Sequence, residues 1–247
     1  MIKTVITWIV MSSASFAVQN SYLFVQANDF YKADNFEAAI QHYNEILITH
    51  EHEDIYYNLG NSYFRNGEIG KSIWAFEKAY RLDPRDSDII FNLRFLKSLV
   101  RDRIIAPEDI FFVALYKAVI KKFTLSDLIL ITGFFILLIS LRYSVNEFSK
   151  ISKSVNSVLS YALAVALIFS GWITFDKYWS ISDRTYGIIL SPAVDVRSAP
   201  IMRGQNVVFR IHEGTKVEIQ HSELGWNEII LLDGKKGWVL SENLKAL

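Results

Sequence analysis

The sequence predicts a multidomain chain with three parts: an all-α repeat solenoid, a two-helix transmembrane hairpin and a small all-β barrel. Three observations predict it. Asp54, Ile55, Asn58 and Leu59 recur 34 residues later as Asp88, Ile89, Asn92 and Leu93, a period typical of helical solenoids. Two apolar runs follow at 125–141 and 155–175, near the roughly 20 residues a helix needs to cross a hydrocarbon core. From Tyr186 onward, short apolar alternations are separated by glycine turns, the pattern of paired strands. The composition agrees: of 247 residues, 51% are hydrophobic and 14% aromatic. Zero formal net charge gives no global attraction to nucleic acid, which is not expected as a partner. The chain has no cysteine, which excludes disulfides, thiolate metal sites and a cysteine nucleophile.

Residues 1–17 read as a signal segment. Lys3 supplies a positive end, Val5–Met11 an apolar run, and Ser15 and Ala17 the small residues of a cleavage site. An uncleaved anchor or a first core helix are the alternatives.

The repeat region runs over 18–104 with a capping helix at its end. The full unit is Glu53–Asp86. Tyr56, Leu59, Gly60 and Tyr63 share one helical face, "RNGEIG" makes the turn, and Ser72, Phe76 and Ala79 mark the second helix, which Pro84 ends. Small residues at Gly60, Ser72 and Ala79 admit close helix approach, and Tyr63 and Phe76 fill the space beside them. The run "YYNLGNSYFRNGEIGKSIWAFEKAYRLDP" resembles the tetratricopeptide repeat. An earlier unit, 20–52, is in phase one residue short, with Ala27, Phe30, Ala39 and Tyr43 at the matching positions. A third copy stops after one helix. Arg94 stands where the full unit has Gly60, because no second helix of its own returns to press there; terminal repeats are commonly atypical caps.

Stacked helix pairs leave a groove lined by first helices. Projection onto the repeat places Asn28, Tyr31, Tyr57, Asn58, Asn61, Phe64, Arg65, Phe91 and Asn92 there. Asparagines can bond an extended backbone and aromatics supply anchor area; the alternative is that Asn58 and Asn61, common in the repeat consensus, serve only the fold. The resemblance implies peptide or protein binding in this groove. The family's carboxylate-clamp version carries basic residues where Phe24, Tyr57 and Phe91 stand, so that ligand class is not expected. Residues 18–86 hold 6 basic and 11 acidic side chains, which opposes a nucleic-acid or anionic-lipid surface.

Residues 105–123 read as a juxtamembrane amphipathic helix ending in Lys121 and Lys122, or as a plain connector. Membrane helices are expected at 124–143 and 155–175 around a cytoplasmic connector at 144–154, with a linker at 176–185. A buried core hairpin is the alternative. Asp127 fits the first span if it lies in the first helical turn, against the positive helix end; a proton site within the membrane is the other reading. Trp172, Tyr178 and Trp179 suit an interfacial belt. Lysines and arginines weakly favour a cytoplasmic connector; with an exported N-terminus, both folded parts lie outside the cytoplasm. Two crossings place them on one side in either orientation.

Residues 186–247 alternate as strands, Val217 and Ile219 sharing a face and Asp233-Gly234 closing a hairpin. "VDVRSAP", "IHEGTKVEI", "GWNEI" and "GKKGWV" in this order resemble a bacterial SH3 domain, with Ala199 where the family commonly has glycine. The resemblance implies a cell-wall peptide, a protein or no ligand; Arg197, Pro200, Trp226 and Trp238 form the candidate ligand face. Alternatively both tryptophans are core, since a 60-residue barrel has little else to bury. Basic and acidic residues balance at seven each over 187–247.

No catalytic or metal site and no cofactor is expected. His50 and His52 flank Glu51 in the inter-repeat turn without the three or four donors a zinc site needs. Neither a phosphate loop nor a GxSxG elbow is present.

The whole order, with "LDPRDSDIIFNLRFLKSLVRDRI" ahead of the spans, is similar to the E-type proteins of bacterial aerotolerance (Bat) operons. That resemblance implies a non-enzymatic scaffold at the bacterial inner membrane. Its implied partners are von Willebrand A-domain membrane proteins and a MoxR-type ATPase of the same operon. A cell-wall module that binds peptidoglycan, spaced from the membrane by the repeats, is the alternative.

Overall fold

A computed structural model describes residues 19–105, 107–146, 153–183, 185–202 and 204–247. The signal segment at 1–17 and most of the connector at 144–154 lie outside the described residues. The chain divides into two compact units. One joins the residues up to Pro107 to Tyr186–Leu247; the other is Glu108–Thr185.

The first unit begins with five helices: α1 (19–32), α2 (Phe36–Leu47), α3 (Glu53–Arg65), α4 (Ile69–Leu82) and α5 (Ser87–Leu99). Each boundary has a local cause. Asn35, His52 and Asp86 cap α2, α3 and α5 by accepting from backbone N–H groups of the first turn. Ala27, Ala39, Leu59 and Ala79 are fully buried, with Tyr43 and Phe76 between them. At Gly60 the helices approach so closely that a Cβ would stand 2.8 Å from the Phe76 ring. Ser72 uses the same closeness to donate to the Gly60 carbonyl at 2.7 Å. Arg94 at the matching place on α5 is exposed.

Seven strands follow: β1 (Thr185–Ile189), β2 (Ala193–Arg197), β3 (Val207–His212), β4 (Lys216–Glu223), β5 (Trp226–Ile230), β6 (Lys236–Leu240) and β7 (Leu244–Ala246). The predicted hairpin forms as β5–β6, antiparallel from Trp226↔Leu240 to Ile230↔Lys236, with Gly234 at φ +86°. Val217 is buried and Ile219 packs half-buried against the same cluster. The expected closed barrel does not form. Strand order is β3-β2-β6-β5-β4-β1-β7, an open sheet with β3 and β7 at its edges. The reason lies at β7. Leu247 N–H donates to Tyr186 O and Ala246 pairs with Gly187, so the Ala246 carbonyl points away from β1. The Trp74 indole N–H of α4 donates to that carbonyl at 2.7 Å. A repeat helix thus covers the edge that a closing strand would cover.

The contact is continuous. Ile188 belongs to the core cluster of the repeats, with Leu190 and Leu247 packed against it. Lys245 Nζ lies 3.5 Å above the Trp74 ring. The Gly70 N–H donates to Glu213 at 2.6 Å. Gly214, at φ +84°, brings the β3–β4 turn so close that a Cβ there would meet Ile73 and Val100 at 2.8 Å.

The second unit holds α6 (Phe111–Ile120), α7 (Leu125–Asn146) and α8 (Lys153–Asp183). Two windows, Leu125–Ser144 and Val155–Ser182, are long and apolar enough to cross a membrane. Only 6% of each is buried, whereas a core hairpin would be covered. Thr132 meets Thr174 at 2.9 Å while Arg142 bonds Asn156 and Ser160, so α7 and α8 run antiparallel. Asp127 lies in the first turn of α7: Thr124 N–H donates to its carboxylate and its own N–H donates to Thr124 Oγ1, a reciprocal cap. Tyr116 of α6 donates to Asp176 of α8 at 2.7 Å.

Candidate protein-interaction face

Side-chain contacts join α1, α3 and α5 along one face. Asn28 on α1 accepts from the Tyr43 hydroxyl at 2.6 Å and from Asn58 of α3 at 3.5 Å. Asn92 of α5 donates to the Tyr57 hydroxyl at 3.2 Å, and the Tyr57 ring packs edge-on against Phe76. Arg65 pairs with Asp34 at 2.9 Å and lies over Phe36, against which Tyr31 also packs. Phe64 and Phe95 meet edge to face. The nine residues projected onto the groove therefore fall on three adjacent helices. Seven of them, Asn28, Tyr31, Tyr57, Asn58, Phe64, Arg65 and Asn92, make contacts within the solenoid. Among the described residues the Asn61 side chain has no hydrogen-bond partner, and Phe91 is 67% exposed. Asn61 and Phe91, with the outer edge of Phe64, are the parts of the face left for another molecule.

On the β-sheet, Trp226 is 8% exposed. Trp238 is half-buried, paired across β2–β6 with Arg197, and has His221 against its ring edge. Arg197 donates to Asn206 at 2.7 Å, and Pro200 is half-buried nearby in sequence. His52, one of the paired histidines, caps α3 through Nδ1 and stacks with His50.

Two charged clusters that join the repeats to the sheet are centred on residues that the sequence did not single out, Glu77 and Asp102. Glu77 of α4 is 3% exposed. Lys216 of β4 donates to its Oε2 at 2.7 Å, and Lys97 of α5 lies 2.5 Å from its Oε1, off the direction of a regular hydrogen bond. Burial pushes the Glu77 carboxyl up; Lys216 and Lys97 outweigh that and bring it down to about 2. Asp102, just after α5, accepts from His212 N–H at 2.6 Å and from Thr215 Oγ1 at 2.7 Å, with His212 Nδ1 at 2.8 Å. Burial opposes its charge, and the bonds from Thr215 and His212 prevail, leaving it below the usual range. One signal for Glu77 was available: a lone carboxylate in "SIWAFEKAY", a helix buried on nearly every side.

Comparison with known proteins supports the repeat. A tetratricopeptide repeat is matched at residues 53–86, the segment that folds as α3 and α4. No curated protein matches the chain. Among solved structures 27 chains are similar; one is NlpC2 from Trichomonas vaginalis, 15% identical with a TM-score of 0.24. That likeness covers 26% of this chain and 25% of the other. Repeats of this kind generally mediate contacts between proteins, and the matched repeat points to a protein-interaction scaffold.

Proposed function

We propose that this chain is a non-enzymatic adaptor of the bacterial cell envelope. It is anchored by α7 and α8 in the inner membrane and holds partner proteins on the α1–α3–α5 face. The observation that carries this reading is Asn61 without a hydrogen-bond partner and Phe91 exposed on a helical face that includes the tetratricopeptide repeat at 53–86. Anchoring is supported by two uncovered apolar helices. A common side for both folded parts is supported by their packing into one unit across the inserted hairpin. The extracytoplasmic side, and partners that include von Willebrand A-domain proteins and a MoxR-type ATPase, rest on the domain order and its likeness to aerotolerance-operon proteins.

Crosslinking in native membranes tests the reading. Asn61→Ala with Phe91→Ala removes exposed groups without breaking the Tyr57–Asn92 or Asn28–Tyr43 bonds. Loss of protein crosslinks from a chain that unfolds at the wild-type temperature is expected. Retention of every crosslink overturns the reading. Retention accompanied by peptidoglycan binding that falls with Trp238→Ala moves the function to the β-sheet.

A further inference from the structure

We propose that α6 lies flat in the headgroup–acyl boundary of one leaflet, the leaflet at which α7 begins. Phe111, Phe112, Leu115 and Val119 face its acyl chains, so the partner of this surface is phospholipid. The proposal rests on α7 and α8 being the membrane anchor and adds a third contact with the bilayer, confined to one side.

Length and burial narrow the choice. Helix α6 has 10 residues, about 15 Å at the usual rise per residue and half of a hydrocarbon core. It cannot cross. Nor is it a core helix, since none of its residues is buried. Phe111, Phe112, Leu115 and Val119 are 72%, 78%, 53% and 47% exposed. At 3.6 residues per turn these four share about 100° of the circumference, and Lys117 stands opposite them. Tyr116 and Ile120, on the side between, are half-buried.

The contacts of Tyr116 say what covers the apolar face. Its hydroxyl donates to Asp176 of α8 at 2.7 Å, and its ring lies 5.7 Å from that of Trp172. Trp172 and its neighbour Phe169 are exposed within the apolar window Val155–Ser182. Tyr116 adjoins Phe112 on the helical wheel, so the apolar surface of α8 runs on to α6 and one medium borders both. A soluble partner would have to reach a face beside Trp172 that offers it no polar side chain.

Polar groups at the same end set the depth. The Thr174 hydroxyl reaches the Leu128 carbonyl at 3.2 Å, so Asp176 is level with the first turn of α7, where Asp127 is capped. An upright α6 would carry Lys117 and its partner Asp109, 2.7 Å apart, into the hydrocarbon, where charge is costly. Lying flat leaves that pair at the water surface and seats only the apolar face.

The chain has no cysteine, so single cysteines can carry an NBD fluorophore in the full chain, reconstituted in phosphatidylcholine nanodiscs. Leu115→Cys reports the apolar face, Lys117→Cys the opposite side and Phe134→Cys the middle of α7; Phe112→Cys replaces Leu115→Cys should that variant misfold. Emission from Leu115→Cys should be blue-shifted, and quenched roughly twofold more by a spin label high on the acyl chain than by one near its end, as befits a face about 5–10 Å into the boundary. Lys117→Cys should be quenched by aqueous iodide. Leu115→Cys quenched by iodide as fully as Lys117→Cys overturns the proposal. So does escape from both iodide and lipid quenchers, which would mean that protein covers the face. Stronger quenching by the deep label would mean an upright helix, and quenching that appears only with added phosphatidylglycerol would mean that lysines hold it; either overturns the proposal. The anchor is tested separately: Phe134→Cys that escapes the deep label sinks the membrane reading itself. If Phe134→Cys is quenched from within the bilayer, a failure at Leu115→Cys sinks only the placement of α6.

Discussion

Glu77 is one of the residues at which the two folded parts of the first unit meet: its oxygens are shared between a lysine of the last repeat helix and one of the sheet. Replacing Glu77 removes the partner of Lys97 and Lys216, whose side chains are 47% and 32% exposed and can be hydrated in its absence, so the cost is about 1–3 kcal/mol. Glu77→Gln is therefore expected to lower the unfolding temperature far more than an exposed change such as Glu45→Gln. The pH dependence follows from the sign of the shift. Folding lowers the Glu77 carboxyl from 4.5 to about 2, so its stabilisation is complete above about pH 4.5 and is lost as pH falls toward 2. Asp102, also lowered, acts in the same direction. Acid titration followed by circular dichroism should show wild type losing stability below pH 4.5 and Glu77→Gln losing less over that interval. Two smaller changes probe packing. Gly60→Ala forces a methyl against Phe76, costing about 1–3 kcal/mol. Trp74→Phe keeps the ring but strands the Ala246 carbonyl, costing about 1 kcal/mol. A Trp74→Phe chain as stable as wild type would show that the edge of β7 is satisfied some other way.

At the scale of elements, the sequence's signals were local and the structure honours the local ones. The Asp233-Gly234 turn, the strand of Val217 and Ile219, the close approach at Gly60 and the place of Asp127 in a first helical turn were all readable, because each rests on residues within one or two turns of chain. The open sheet was not. Whether β3 meets β7 depends on what covers the β7 edge, and that is Trp74, 172 residues away from its acceptor. The same limit applies to the groove. Projection names the helices of the face, but not that Tyr57, Asn58 and Arg65 are bonded to residues beyond their own helix, since those bonds cross the repeat period. Asp86 offers an element-scale test: its carboxylate accepts from Asp88 and Ile89 N–H at 2.8 and 2.9 Å. Asp86→Ala should cost about 1 kcal/mol, read as a lowered unfolding temperature.

For the whole molecule, the hairpin of α7 and α8 is inserted between two stretches that fold against each other. Were α7 and α8 to cross a membrane, the bonds from Trp74 to Ala246, Glu77 to Lys216 and Asp102 to His212 would require the chain to return to the side it left, in either orientation. Because the chain has no cysteine, single cysteines can report the side. Ile48 in the α2–α3 turn and Leu224 in the β4–β5 turn are exposed, and neither takes part in the contact between repeats and sheet. Tyr143, near the end of α7, is exposed beyond the apolar middle of the hairpin. In sealed vesicles of one orientation, a membrane-impermeant maleimide should label Ile48→Cys and Leu224→Cys together, and Tyr143→Cys only after the vesicles are opened, or the reverse in vesicles of opposite orientation. Opposite labelling of Ile48→Cys and Leu224→Cys would require one crossing or three, and the sheet could not then cover α4. Labelling of all three from one side would mean that α7 and α8 do not cross at all, and the two apolar helices would need another partner than lipid to cover them.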